Sequence, residues 1–181
     1  LGFKLCFTQI TAVKNISVNN GLPSNKIYAV LKDSRGILWA GTDKGISKIY
    51  NNKVVNYTEE DGLAYNNCWA IIEDEMKNLW FGSYGGGITH FNGEKFNVIN
   101  TSNGLIHNSI RKLFVYKNFL YVGTKAGVSI INIKNKKITN PKTDTPLQVM
   151  GFFEYQKQIY IQTYRKGIWT YNSKKETLQN I

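Results

Sequence analysis

The chain is 181 residues long, 42% hydrophobic and 13% aromatic, with a formal net charge of +11. That length allows one domain of ordinary size, and apolar residues spread along all of it exclude an intrinsically disordered chain. The basic excess does not indicate nucleic acid as a partner: only Arg35, Arg111 and Arg165 are arginines, and the lysines scatter through turn-like segments instead of clustering with aromatics.

Residues 1–10 begin with an apolar run (LGFKLCFTQ) that fits nothing downstream. It reads either as a signal-peptide remnant or as a short extra strand. No segment reaches the roughly 18 apolar residues of a membrane helix. Cys6 and Cys68 are far apart and form no metal or redox spacing, so no metal and no cofactor is expected from them.

From residue 11 onward three marks recur. Gly-Leu-x-x-Asn appears at Gly21-Leu22 with Asn25, Gly62-Leu63 with Asn66, and Gly104-Leu105 with Asn108. A Leu-aromatic-x-Gly-Thr/Ser pattern appears at Leu38 to Thr42, Leu79 to Ser83 and Leu120 to Thr124, with a weaker copy at Ile159 to Thr163. A Gly precedes a β-branched residue at Gly45-Ile46, Gly87-Ile88, Gly127-Val128 and Gly167-Ile168. Each unit reads as four short strands: in the first, Ile27 to Leu31, Ile37 to Gly41, Ile46 to Tyr50 and Val54 to Thr58. Gly, Asn, Asp and Ser separate them, the first two tolerating positive φ and the others bonding nearby backbone. Four antiparallel strands in each repeat of about 41 residues are the arithmetic of a β-propeller blade. The fold class is therefore all-β, with blades at about 20–60, 61–102, 103–144 and 145–181.

Within the repeat, Trp39, Trp80, Tyr121 and Tyr160 occupy the position where a large ring fills the wedge between blades. Gly41, Gly82 and Gly123 leave room for the neighbouring blade. An outer strand is expected at 11–18. With those at Val54 to Thr58, Lys95 to Asn100, Lys136 to Asn140 and Glu176 to Ile181, it makes five outer strands for four inner triplets. The surplus suggests a partial arc of a larger propeller. An open arc leaves blade faces exposed to further blades or to a second copy in a homodimer.

Catalytic constellations are not expected. His90 and His107 sit in no motif, and Gly85-Gly86-Gly87 reads as a tight hairpin turn. The acidic runs Glu59-Glu60-Asp61 and Glu73-Asp74-Glu75 read as solvated turns. Ligand contacts are expected where loops meet on one face of the disk: Tyr65, Tyr84, His107, Tyr164 and Arg165, with Trp69 and Arg111 at equivalent inner-strand positions near the channel. Flat rings cover apolar sugar faces, and guanidinium and amide groups bond hydroxyls or carboxylates. The repeated Asn25, Asn66 and Asn108 are expected to lock their loops by side-chain-to-backbone bonds.

The run from Asn20 to Thr42 (NGLPSNKIYAVLKDSRGILWAGT) closely resembles the two-component regulator propeller repeat of Bacteroidetes sensor proteins. The resemblance weakens in the fourth unit, where Thr145-Pro146-Leu147 replaces Asn-Gly-Leu and Gln162 replaces Gly. It implies a seven-bladed type of propeller and a periplasmic or extracytoplasmic location in an inner-membrane sensor. It also implies a ligand such as an oligosaccharide, with the signal passed to a kinase region elsewhere in the parent protein. The alternative expectation is a propeller scaffold for protein–protein interaction or adhesion without a small ligand.

Overall fold

The computed structural model describes residues 15–181. The readings of residues 1–10, and residues 11–14 of the outer strand expected at 11–18, lie outside the described residues. The described end of that strand is different from expectation. Ser17 is the cap of a 3-10 turn over Val18–Asn20, and residues 15–17 are not strand. The backbone is drawn into a turn here because Ser17 and Asn20 bond reciprocally, Ser17 N–H donating to Asn20 Oδ1 at 3.0 Å. The described residues thus hold four outer strands for four blades.

Those blades are four-stranded antiparallel sheets taken in chain order. The first comprises β1 (Ile27–Lys32), β2 (Leu38–Thr42), β3 (Gly45–Tyr50) and β4 (Lys53–Tyr57). The second comprises β5 (Cys68–Glu73), β6 (Leu79–Ser83), β7 (Ile88–Phe91) and β8 (Phe96–Ile99). The third comprises β9 (Ile110–Tyr116), β10 (Phe119–Thr124), β11 (Val128–Asn132) and β12 (Ile138–Thr139). The fourth comprises β13 (Val149–Tyr155), β14 (Gln158–Thr163), β15 (Ile168–Asn172) and β16 (Thr177–Asn180). The inner strands β1, β5, β9 and β13 are neighbours in that sequence. The protein is a run of β-propeller blades.

The Gly-Leu-x-x-Asn mark builds the link between blades. Gly21, Gly62 and Gly104 end 3-10 turns at φ of 100°, 105° and 103°, a left-handed conformation that costs glycine little. The next residue, Leu22, Leu63 or Leu105, is buried. Asn25, Asn66 and Asn108 then accept from the backbone N–H of Val18, Glu59 and Thr101 at 2.9, 2.8 and 2.8 Å. In the fourth unit Pro146 stands where glycine would be and no 3-10 turn forms, yet Leu147 is still fully buried. The apolar anchor persists without the turn.

The core lies between blades. Trp39 packs with Leu63, Cys68, Phe81 and Phe91 of the second blade, and Trp80 with Leu105, Ile110 and Val122 of the third. Tyr121 packs with Leu147, Val149 and Ile161 of the fourth. A Cβ on Gly41 would stand 2.8 Å from the Cys68 carbonyl oxygen; on Gly82, 2.6 Å from Ile110 Cγ2; on Gly123, 2.5 Å from Val149 Cγ1. In each case the obstacle is the first residue of the next blade's inner strand. Tyr160 differs from the other repeat aromatics: it is half-buried and stacks on Phe153 of its own blade at 4.8 Å. No further blade lies against it among the described residues, so the wedge that encloses Trp39 is absent.

The acidic run at Glu73-Asp74-Glu75 corrects the expectation of a solvated turn. Asp74 is 3% exposed and accepts from the Trp80 indole N–H at 2.8 Å. Glu73 reaches the preceding blade, accepting from Ser34 N–H at 2.8 Å and Ser34 Oγ–H at 2.7 Å. Only Glu75 is simply exposed. The hairpin needs the carboxylate inside because it closes over the indole and leaves that N–H no water.

Candidate functional site

Every inner strand carries the same irregularity. The register shifts between Ile27 and Ala29, between Cys68 and Ala70, opposite Gly123/Thr124, and between Val149 and Gly151. The residues left without a ladder partner are Tyr28, Trp69, Arg111 and Met150. A bulge re-aims its extra side chain out of the pleat, so a repeating bulge sets four unlike side chains in a row across four blades.

Their geometry forms one cluster. Trp69 stacks on Tyr28 with ring centroids 5.1 Å apart and on Tyr84 at 4.7 Å, with interplanar angles of 28° and 23°. The Trp69 indole N–H donates to Asn67 Oδ1 at 2.7 Å, which fixes the ring. The Arg111 guanidinium carbon lies 5.9 Å from the Trp69 ring centre. Gln148, with its amide oxygen turned toward Arg111, accepts from Nε at 3.1 Å and from Nη2. A hollow of about 230 Å³ opens here, lined by Tyr28, Trp69, Arg111, Lys112, Val149 and Met150.

The β6–β7 turn carries Tyr84 to this cluster. Tyr84 N–H donates to the Asn67 carbonyl at 2.9 Å, and Gly85 and Gly87 donate to the Asn108 carbonyl at 3.2 and 2.9 Å. A Cβ on Gly86 would meet the Ala64 carbonyl oxygen at 2.1 Å, so the glycine run lets the turn lie flat on the loop before β5. Tyr65, exposed, lies over Gly85 in the same turn.

Three expected contact residues sit apart from the aromatic cluster. His107 is turned into its own loop, Nδ1 accepting from Ser109 N–H at 2.8 Å. Tyr164 and Arg165 form an exposed pair at the β14–β15 turn, the guanidinium carbon 4.9 Å from the phenol ring centre. Their link to the cluster runs through Gln148, whose carbonyl accepts from Tyr164 N–H at 2.8 Å. Tyr28 and Gln148 were missed by sequence reasoning. The signal for Tyr28 was its register with Trp69 and Arg111, one place into the inner strand, where the repeat changes residue type from unit to unit.

His90 has a different setting. Its ring lies against Trp80, centroids 4.3 Å apart and tilted by 44°, and Lys136 Nζ approaches its Nε2 at 3.5 Å. Burial, and then the Lys136 charge, push its pKa down to about 4, while Asp74 pulls the other way. The ring is therefore neutral and structural at ordinary pH. Burial alone would raise the Asp33 carboxyl. Bonds from the Trp39 indole, the Ile37 N–H and Arg35 outweigh it and hold the carboxyl below its usual value.

Residues 21–44 match the family model described as two component regulator propeller. The chain carries a two-component regulator propeller repeat. The fold resembles the extracellular domain of a B. thetaiotaomicron protein described as the hybrid two component system BT3049. The TM-score is 0.79 and the identity 19%, over 93% of this chain and 26% of that one. A second neighbour is the extracellular domain of BT4673 from B. thetaiotaomicron, described with one structure as a one component system and with another as a hybrid two component system. Its TM-score is 0.69 and its identity 18%, over 89% of this chain and 22% of that one. Virginiamycin B lyase from Staphylococcus aureus, an enzyme, is similar at TM-score 0.70 and 17% identity, over 89% of this chain and 57% of its own. No curated protein sequence matches the chain. The propeller run spans about a quarter of the two extracellular domains, 26% and 22%. At these identities the likeness concerns the fold. Among the described residues no helix is long and apolar enough to cross a membrane.

Proposed function

We propose that this chain is a ligand-sensing propeller segment of an extracytoplasmic two-component regulator, and that it recognises an oligosaccharide at the bulge cluster. The observation that carries this reading is the stack of Tyr28, Trp69 and Tyr84 beside the Arg111 guanidinium. The outer ring of the stack, Tyr28, is 42% exposed and offers a flat apolar face to a sugar, and the guanidinium fork adds donors for hydroxyls or a carboxylate. The family match at residues 21–44 and the extracellular domains sharing the fold favour the regulator setting. Binding would act by favouring one arrangement of the parent receptor over another. His107, in the loop before β9, is engaged by Ser109 N–H, which favours recognition over acid–base chemistry at this face.

The test is a glycan-array screen followed by calorimetry on the best hit. Trp69→Ala and Arg111→Gln should each weaken binding by at least about tenfold, a change of about 1.4 kcal/mol. Tyr84→Ala should do the same, and Arg165→Ala should have a smaller effect. Unchanged affinity in both Trp69→Ala and Arg111→Gln removes the site. A scaffold reading is favoured by a separate observation: Phe153, Tyr155 and Ile168 of the fourth blade are 45%, 58% and 44% exposed. It gains if no glycan binds and the chain self-associates through that blade.

A further inference from the structure

The three blade interfaces are not closed in the same way at the end opposite the bulge cluster. In the first two blades a five-residue hairpin, residues 33–37 and 74–78, brings a buried aspartate onto the tryptophan indole. At the second interface the Lys136 ammonium also lies over Trp80, 4.5 Å from the ring centre. The third blade has neither device. Its β9–β10 turn is only Lys117-Asn118, without a carboxylate, and the ring is the smaller Tyr121, cross-strand from Ile130. What remains between the third and fourth blades is a cleft of about 530 Å³.

The cleft has an apolar interior and a basic rim. Tyr121, Ile130 and Ile159, all buried, form its floor, with Tyr116, Phe119 and Tyr171 beside them. Lys117, Lys137 and Lys157 line it against a single carboxylate, Glu176. None of these lysines is in an ion pair: among the described residues the pairs are Lys26–Asp43 and Arg35–Asp33. Each of the cleft's amide side chains is engaged at one end. Asn132 Oδ1 accepts from Lys134 and Asn135 N–H, and Gln158 Nε2 donates to the carbonyls of Ile159 and Tyr171. Besides the Glu176 carboxylate and the two small hydroxyls of Thr139 and Ser173, phenol hydroxyls and ammonium groups are what the cleft has left to offer. That set suits a flat ring bearing one anionic group better than a hydroxyl-rich sugar, which needs many directed polar partners.

We propose that the cleft between the third and fourth blades is a second ligand site, taking a small aromatic carboxylate with its ring among the tyrosines and its charge at the lysine rim. The site is independent of the bulge cluster and does not rest on the sugar-binding reading.

The experiment is fluorine NMR of para-fluorobenzoate titrated with the chain, with para-fluorobenzamide as the neutral analogue. Benzoate broadening that saturates, and at least about tenfold weaker binding of the amide, is the expected result. The triple variant K117Q/K137Q/K157Q changes three exposed lysines, of which Lys117 also lies over the Tyr116 ring at 5.1 Å, and should weaken benzoate binding to the same extent. Tyr121→Trp, which restores the ring used by the first two blades, should fill the cleft and abolish binding. If that variant melts early, the triple variant alone decides. Trp69→Ala should leave benzoate binding unchanged, so failure of the sugar site and failure of this one are separable. Equal binding of acid and amide, no effect of the triple variant, or displacement of the probe by glucuronate at equal concentration would each overturn the proposal.

Discussion

The indole N–H of Trp80 donates to Asp74 Oδ2 at 2.8 Å, with the indole fully buried and the aspartate 3% exposed. Trp39 and Asp33 repeat the arrangement at 3.0 Å. The same carboxylates shape the hairpin: Asp74 Oδ1 accepts from Met76 and Asn78 N–H. Removing the carboxylate leaves a buried indole donor and two backbone donors short of a partner. Asp74→Ala should therefore cost about 1–3 kcal/mol, read as a lowered urea midpoint. Glu75→Ala, one residue on and exposed, should move the midpoint by no more than about 0.5 kcal/mol.

Gly82 and Ile110 test the contact between blades. A methyl at residue 82 would stand 2.6 Å from Ile110 Cγ2, and Ile110 is fully buried. Gly82→Ala should cost about 1–3 kcal/mol through overpacking. Combining it with Ile110→Ala should cost less than the sum of the two single changes, because the second removes the obstructing atoms. Additive losses in a denaturation cycle would show that the two positions do not meet.

Asn66 closes the link before the second blade. Its Oδ1 accepts from Glu59 N–H at 2.8 Å, and its own N–H donates to Glu59 Oε1 at 3.1 Å. Asn66→Ala should destabilise by about 0.5–2 kcal/mol, the range for losing a helix-cap acceptor. Hydrogen exchange should show the loss first at the Glu59–Asp61 turn.

His90 makes stability depend on pH. Its folded pKa is depressed to about 4, whereas an unfolded histidine takes up a proton near 6.5. Between those values the unfolded chain binds more protons, so stability falls as pH drops from about 6.5 to about 4. His90→Gln should flatten the urea midpoint across that window. A slope unchanged by the substitution would assign it to other groups.

The blades were legible in the sequence because their physics is local. Strand alternation, positive-φ glycines such as Gly62 and the loop-locking Asn66 act within a few residues, and three repetitions made each signal readable. The inter-blade role of Trp80 and Gly82 was legible for the same reason. Asp74 was misread because an acidic triplet looks solvated until a hairpin is seen folding over an indole. Tyr28 was passed over because a bulge is a property of pairing, and pairing is not written in one strand.

The order of residues by itself determined the repeat, the four-strand unit, the turn chemistry and which ring enters each wedge. Only the tertiary structure decided which unlike side chains the bulges bring together and which interface is left open. Those depend on how neighbouring sheets lean on one another. A two-residue turn such as Lys117-Asn118 has no consequence within its own hairpin and leaves a cleft only when the fourth blade stands beside it.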